Sequence, residues 1–206
     1  WPIHFTWYEL LRIIYPDDSS VLIVESALDH KIPFCEWFVI PYYIWYFCIA
    51  GVLIYPLFKC KREFLRASAL VTGCMLLPMI FCTICPNGID IASMRPDFAS
   101  LGRDNFAIRL VQLIYKADTP ARNVMPSMHV SVSWAMLFAV LQSKIMLKKP
   151  VYRVLASVLC ISISLSTVFI KQHSILDVFA GVGTAVLVLI IVYIAERIYN
   201  KKKAGI

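Results

Sequence analysis

The sequence predicts an all-α fold, a polytopic bundle of transmembrane helices forming one integral membrane domain over residues 1–206. Three observations predict it. Hydrophobic residues make up 60% of the chain and charged ones only 16%, with a mean hydropathy of +0.72. Globular domains carry about 25% charged residues, so this chain cannot clothe an ordinary water-facing surface. Several apolar stretches exceed the roughly 18 residues that mark a membrane-crossing helix, and the charges gather in short segments between them.

Five complete spans are expected. They cover residues 33–58, 67–85, 127–147 (after the break at Pro126), 151–170 and 174–195. Each approaches the ~20 residues needed to cross a ~30 Å hydrocarbon core. Pro41 and Pro78 fall inside spans, where membrane helices tolerate them as kinks. No signal peptide is visible, and a chain that begins at Trp1 without a methionine leaves open whether a segment lies upstream.

Charge orients the bundle. Lysine and arginine cluster in residues 59–66, 144–153 and 197–203, which marks the cytoplasmic side. Residues 1–32, 87–126 and 171–173 then face the other way and carry most of the acids. The net charge of +7 sits beside apolar spans, a pattern of membrane orientation, so no nucleic-acid partner is expected. Nothing in the pattern speaks to oligomeric state.

Residues 87–126 form an extracytoplasmic loop far longer than the ~4–6-residue median, and such loops are usually functional or disordered. Within it, "DNFAIRLVQLIYK" sets Phe106, Leu110, Leu113 and Ile114 on one helical face, with Arg109, Gln112 and Lys116 on the other. An amphipathic helix lying in the membrane interface fits this pattern, as does a loop helix packed on the spans. The seven cysteines lie mostly in apolar runs, where they act as small hydrophobes. Cys82 and Cys85 form a lone CxxC with no second pair, so buried thiols are expected there in preference to a zinc site or a redox pair.

The polar residues within this apolar frame converge. His129 stands near the start of the third span, in "NVMPSMHVS", and His173 and Asp177 at the start of the fifth, in "KQHSILD". Arg95 and Pro96 lie early in the long loop. The topology puts all of them at one membrane face. A spacing of four stacks His173 and Asp177 on one helical face, where a carboxylate on one ring nitrogen fixes the tautomer and leaves the other free as base or nucleophile. An unpaired Asp177 would cost a few kcal/mol about one turn inside a span, so it needs that partner.

"MPSMH" adds an anion site. Pro126 suits a first helical position, and the N–H groups of Ser127, Met128 and His129 then point out of the helix end, with the Ser127 hydroxyl as a further donor. Singly, each residue is ordinary: a histidine at a helix end is usually interfacial, and Lys171 a snorkelling lysine. As a set, with Arg95 and Lys171 nearby, they suit a phosphate ester presented at the membrane surface. His129, His173 and Asp177 have ligand chemistry suited to a metal, but no fourth ligand or spacing supports one, and no metal or other cofactor is expected.

These residues resemble the motifs of the membrane-bound type-2 phosphatidic acid phosphatase superfamily, Lys-x6-Arg-Pro, Pro-Ser-Gly-His and Ser-Arg-x5-His-x3-Asp. Here "RP" at 95–96 matches the end of the first, "PSMH" at 126–129 the second and "STVFIKQHSILD" at 166–177 the third. The resemblance spans roughly residues 33–195. It implies that His173 is a nucleophile forming a phosphohistidine, that Asp177 orients it and that His129 protonates the leaving oxygen. Arg95 and Ser127 would bind the phosphate.

The chain departs from the motifs in three places. The lysine of the first motif is missing, Met128 replaces the glycine of the second, and Thr167 stands where the third has arginine. Two phosphate-binding cations are thus absent; Lys171, two residues before His173, is the expected substitute, and Arg122 a weaker one. Such variants are similar to a branch containing inositol phosphorylceramide synthases and bacterial membrane proteins, which transfers a phospho-headgroup to an alcohol. Members commonly have six spans, so the first is expected upstream or reduced to "WPIHFTWYELL". The expected protein is a lipid phosphatase of a bacterial cell membrane, cleaving a lipid phosphate or diphosphate ester through a phosphohistidine, with its site on the extracytoplasmic side; a headgroup transferase and a non-catalytic lipid binder or transporter are the alternatives.

Overall fold

The computed structural model describes residues 2–145 and 150–204. Among them, four helices are long and apolar enough to cross a membrane: α2 (Val39–Lys59, entered through a 3-10 turn at Glu36–Phe38), α3 (Lys61–Ile84), α7 (Pro150–Phe169) and α8 (Ile175–Ala204). With the shorter α1 (Pro2–Ile14), α4 (Ile91–Met94), α5 (Phe106–Ala117) and α6 (Met128–Gln142), they make an all-α polytopic membrane bundle. The only strands among the described residues are β1 (Leu22–Ile23) and β2 (Asn87–Gly88), paired in parallel.

The expected third span is shorter than its apolar run. At 15 residues and ~1.5 Å per residue, α6 is about 22 Å long, less than the ~30 Å hydrocarbon core. It stops because the Glu63 carboxylate accepts from the Ser143 hydroxyl (2.5 Å) and the Lys144 N–H (2.9 Å) just past its end. Residues 146 and 147 of that expected span lie outside the described residues, as do Lys148 and Lys149. A short helix is tolerated here because protein surrounds it. Val132, Ala135 and Met136 pack among Trp45, Leu70, Cys74, Ile163 and Val188, from α2, α3, α7 and α8.

Prolines and glycines adjust the bundle. Pro41 sits in the first turn of α2, where its missing N–H needs no partner, so the prolines within helices are Pro56 and Pro78. Cys60, in extended conformation, both ends α2 and begins α3, making a hairpin with a one-residue connection. Gly181 on α8 lies against the start of α6, where a Cβ would fall 2.9 Å from the Ser127 carbonyl and from Val130 Cβ. That close approach needs glycine.

The long loop folds onto one end of the bundle. Asn105 caps α5 by accepting from the Ile108 N–H, and α5 packs on α2 through Ala107, Val111, Ile114 and Tyr115. The inward face thus differs from the expected one. Phe106 and Leu113 are exposed, because the helix carries two apolar stripes and the one holding Tyr115 is tied down by its hydroxyl donating to the Ile170 carbonyl (2.8 Å). The stretch "WPIHFTWYELL" is largely α1, which packs on α3 through Leu11, Met79 and Cys82. All seven cysteines are free, with Cys82 buried and Cys85 partly so.

Candidate active site

The turn between α7 and α8 is built by backbone closure. The N–H groups of Gln172 and His173 both donate to the Thr167 carbonyl (2.9 and 3.0 Å). Lys171 takes the left-handed region (φ 55), a conformation costing a non-glycine residue of order 1 kcal/mol. α8 is then capped from far away. The Ile175 N–H donates to Asp29 Oδ1 (2.8 Å), while Oδ2 accepts from the Ser174 hydroxyl (2.6 Å) and the Ser26 N–H (2.8 Å). A carboxylate at a helix N-terminus also complements the helix dipole.

This scaffold holds the histidine–aspartate pair. His173 Nδ1 lies 3.1 Å from Asp177 Oδ2, which also accepts from the Ser174 N–H (3.0 Å). An ionised carboxylate only accepts, so Nδ1 carries the proton and Nε2 keeps its lone pair. Asp177 is fully buried, and its Oδ1 has no partner among the described residues. Its backbone carbonyl accepts from the Ser127 N–H (3.2 Å), which ties the start of α8 to that of α6.

His129 faces the pair from α6. Its ring stacks on Tyr42 (centroids 4.5 Å apart) and tilts against Trp45 (4.4 Å), while the His173 ring lies edge-on at 6.1 Å. Its Nε2 is buried without a partner among the described residues. Both histidines line a cavity of about 340 Å³ whose walls also include His4 and Tyr8 from α1, Tyr42, Asp118 and Gln172. Two rings this close can reach one phosphoryl group between them.

The start of α6 differs from the expected one. Ser127, not Pro126, is the boundary: it caps the helix, its hydroxyl accepting from the Val130 N–H (3.5 Å), and Met128 is the first helical residue. Pro126 therefore precedes the cap. With the Ser127 N–H taken by Asp177, the first N–H groups left at this end are those of Met128 and His129.

The two expected cations sit elsewhere. Arg95 forms an ion pair with Asp118 (2.9 Å), donates to the Thr119 hydroxyl (3.2 Å) and stacks over the Tyr115 ring at 4.2 Å. It backs the cavity wall through Asp118 and does not line it. Burial pushes the Asp118 carboxyl up, against the pull of Arg95 and of the Tyr8 hydroxyl, which donates at 2.7 Å. The Lys171 ammonium donates to the carbonyls of Asp29 (2.5 Å) and Ile32 (2.6 Å), away from the cavity. Burial lowers its pKa, with Asp29 pulling the other way. Arg122 does line the cavity, but its guanidinium donates to the carbonyls of Tyr15, Pro16 and Ala121.

Two contributors escaped the sequence reading. The amide of buried Asn87 closes the long loop: Oδ1 accepts from the Val124 and Met125 N–H groups (3.0 and 2.8 Å), and Nδ2 donates to the Cys85 and Met125 carbonyls. That sets the approach to Ser127 and His129. The second is α1, which walls the cavity. The aromatic run signalled a membrane-associated helix but nothing of its placement.

The model of the PAP2 superfamily matches residues 67–200, about two thirds of the chain. The protein belongs to that superfamily. The PAP2 match takes in most of α3, all of α4 to α7 and most of α8, and with them Arg95, Ser127, His129, His173 and Asp177; α1 and α2 lie outside it. No curated protein and no solved structure matches the chain. Membership in PAP2 agrees with the membrane bundle and with activity of the phosphatase or phosphotransferase kind.

Proposed function

We propose that the protein cleaves a lipid phosphate ester at the extracytoplasmic membrane surface through a phosphohistidine on His173. The observation that carries this reading is the buried His173–Asp177 pair opening into the same cavity as His129. With Nδ1–H donated to Asp177, His173 Nε2 attacks phosphorus and the P–O bond to the leaving group breaks. His129 gives the leaving oxygen its proton. An acceptor hydroxyl, from water or an alcohol, then attacks phosphorus, the P–N bond breaks, and the acceptor's proton passes to His129. Asp177 holds the ring and stabilises the imidazolium as it forms. No step calls for a metal. Extracytoplasmic sidedness rests on the basic segments around residues 59–66 and 197–203, at the opposite end of the bundle.

The test is covalent trapping. The full chain in detergent, incubated with a phosphorus-labelled lipid phosphate and quenched in alkali, is expected to retain acid-labile label, and His173→Ala none. Full turnover by His173→Ala would remove the nucleophile assigned here. Lipid binding without label or turnover in the unaltered protein would leave a lipid binder.

A further inference from the structure

Among the described residues, Arg122 is the one lysine or arginine in the cavity wall, and protein groups hold it and the other cations nearby. Arg95 is held by Asp118 and Thr119, Lys171 by two carbonyls of the residue 29–32 turn, and Arg122 by three backbone carbonyls. The cavity also has the Asp118 carboxylate in its wall, and Thr167 is turned inward on its own helix, donating to the Ser164 carbonyl. A doubly negative phosphate would meet the single Arg122 guanidinium here and no second lysine or arginine among the described lining residues.

A neutral donor stands in the cavity wall. Gln172, next to the nucleophile, is 4% exposed and lines the cavity, and its side-chain Nε2 has no partner among the described residues. A buried amide left without a partner forfeits the hydrogen bonds it makes in water, so the position is explained if a ligand completes it. Its backbone N–H is tied to Thr167, which holds the residue in the same turn that places His173.

We infer that the Gln172 side-chain amide donates to a non-bridging phosphoryl oxygen of the substrate, and that this neutral donor, where a cation would otherwise stand, makes the site select a singly charged phosphodiester over a doubly charged phosphomonoester. The inference rests on the phosphoryl-transfer reading above. A monoester phosphate carries about −1.5 to −2 charge at pH 7, whereas a diester carries one negative charge. One wall cation and one neutral hydrogen bond suit the second, and Asp118, already paired with Arg95, leaves the first no added positive charge.

The experiment compares kcat/KM for dioctanoyl phosphatidylglycerol and dioctanoyl phosphatidic acid, in mixed micelles at pH 7, for the full chain and for Gln172→Ala, Gln172→Glu and Gln172→Arg. The unaltered protein is expected to prefer the diester by about ten-fold or more, the scale of one unfavourable charge contact. Gln172→Ala is expected to lower kcat/KM for the diester by about 10²-fold, as loss of one oxyanion donor does, and Gln172→Glu further still. Gln172→Arg is expected to move the preference toward the monoester. Gln172→Glu also sets a charge beside His173, so the donor is read from Gln172→Ala and the selectivity from Gln172→Arg, which keeps the test open if Ala fails to fold. Turnover by Gln172→Ala within two-fold of the unaltered protein, an unmoved preference in Gln172→Arg, or equal turnover of the two lipids, overturns this inference and leaves the phosphohistidine reading intact. No label on His173 from either lipid overturns both.

Discussion

The two ends of the bundle are held together by different chemistry. At the site end, residues 2–32, 87–126 and 171–177 are joined by buried or part-buried, mostly backbone-directed hydrogen bonds: Asp29 to the start of α8, Lys171 to the residue 29–32 turn, and Asn87 to the approach of α6. At the other end, Arg66 pairs with Glu196 through two bonds (2.7 and 2.5 Å) and Glu63 caps the exit of α6. There the ion pair is partly open to solvent. Buried groups that lose a partner carry the whole desolvation penalty, whereas exposed pairs are screened. The site end is therefore where single changes are expected to matter.

The most severe effect is expected at the pair itself. Asp177→Asn leaves the shape but not the tautomer, and kcat is expected to fall by about 10⁴-fold, as it does for an aspartate-oriented histidine elsewhere, with the melting temperature in detergent close to unaltered. Activity within ten-fold of normal would show that Asp177 is structural only. Asp29→Ala comes next. It strands the buried Ser174 hydroxyl and the part-buried Ser26 and Ile175 N–H groups, so a loss of about 3 kcal/mol is expected in equilibrium unfolding.

Asn87→Ala should cost about 2 kcal/mol for the stranded N–H groups of Val124 and Met125, and hydrogen exchange should rise across residues 121–127 before the helices open. At the far end, Arg66→Ala is expected to cost no more than about 1 kcal/mol. Thermal melts of these variants side by side test the contrast directly. An Arg66→Ala loss matching that of Asp29→Ala would erase it.

Much of this was legible in the sequence, for reasons that are local. Apolar length marked the helices to within a few residues, apart from α6, the start of α2 and the longer ends of α3 and α8, because crossing a hydrocarbon core demands a minimum run. The spacing of four paired His173 with Asp177, and charge sidedness gathered His129 at the same end. Lys171 was misread because nearness in sequence to His173 says nothing of direction. Its ammonium reaches carbonyls 139 and 142 residues away. Asp29 and Asn87 left no trace for a related reason: an amide or carboxylate that closes backbone has no period and no motif. The end of α6 was hidden because Glu63, which stops it, stands 80 residues earlier.

Gly181 carries a consequence beyond packing. The α8 turn that bears Asp177 meets the first turn of α6, which bears His129, with no Cβ between them, and the Ser127 N–H reaches the Asp177 carbonyl across that seam. The spacing of proton donor and nucleophile is therefore a backbone-to-backbone dimension that side-chain motion cannot readily absorb. A methyl group at 181 would widen it by a few tenths of an ångström. Since misplacement of about 1 Å can cost 10²-fold in rate, this seam acts as a gauge block for the reaction, and wear in it would appear first in turnover, well before any loss of helix content.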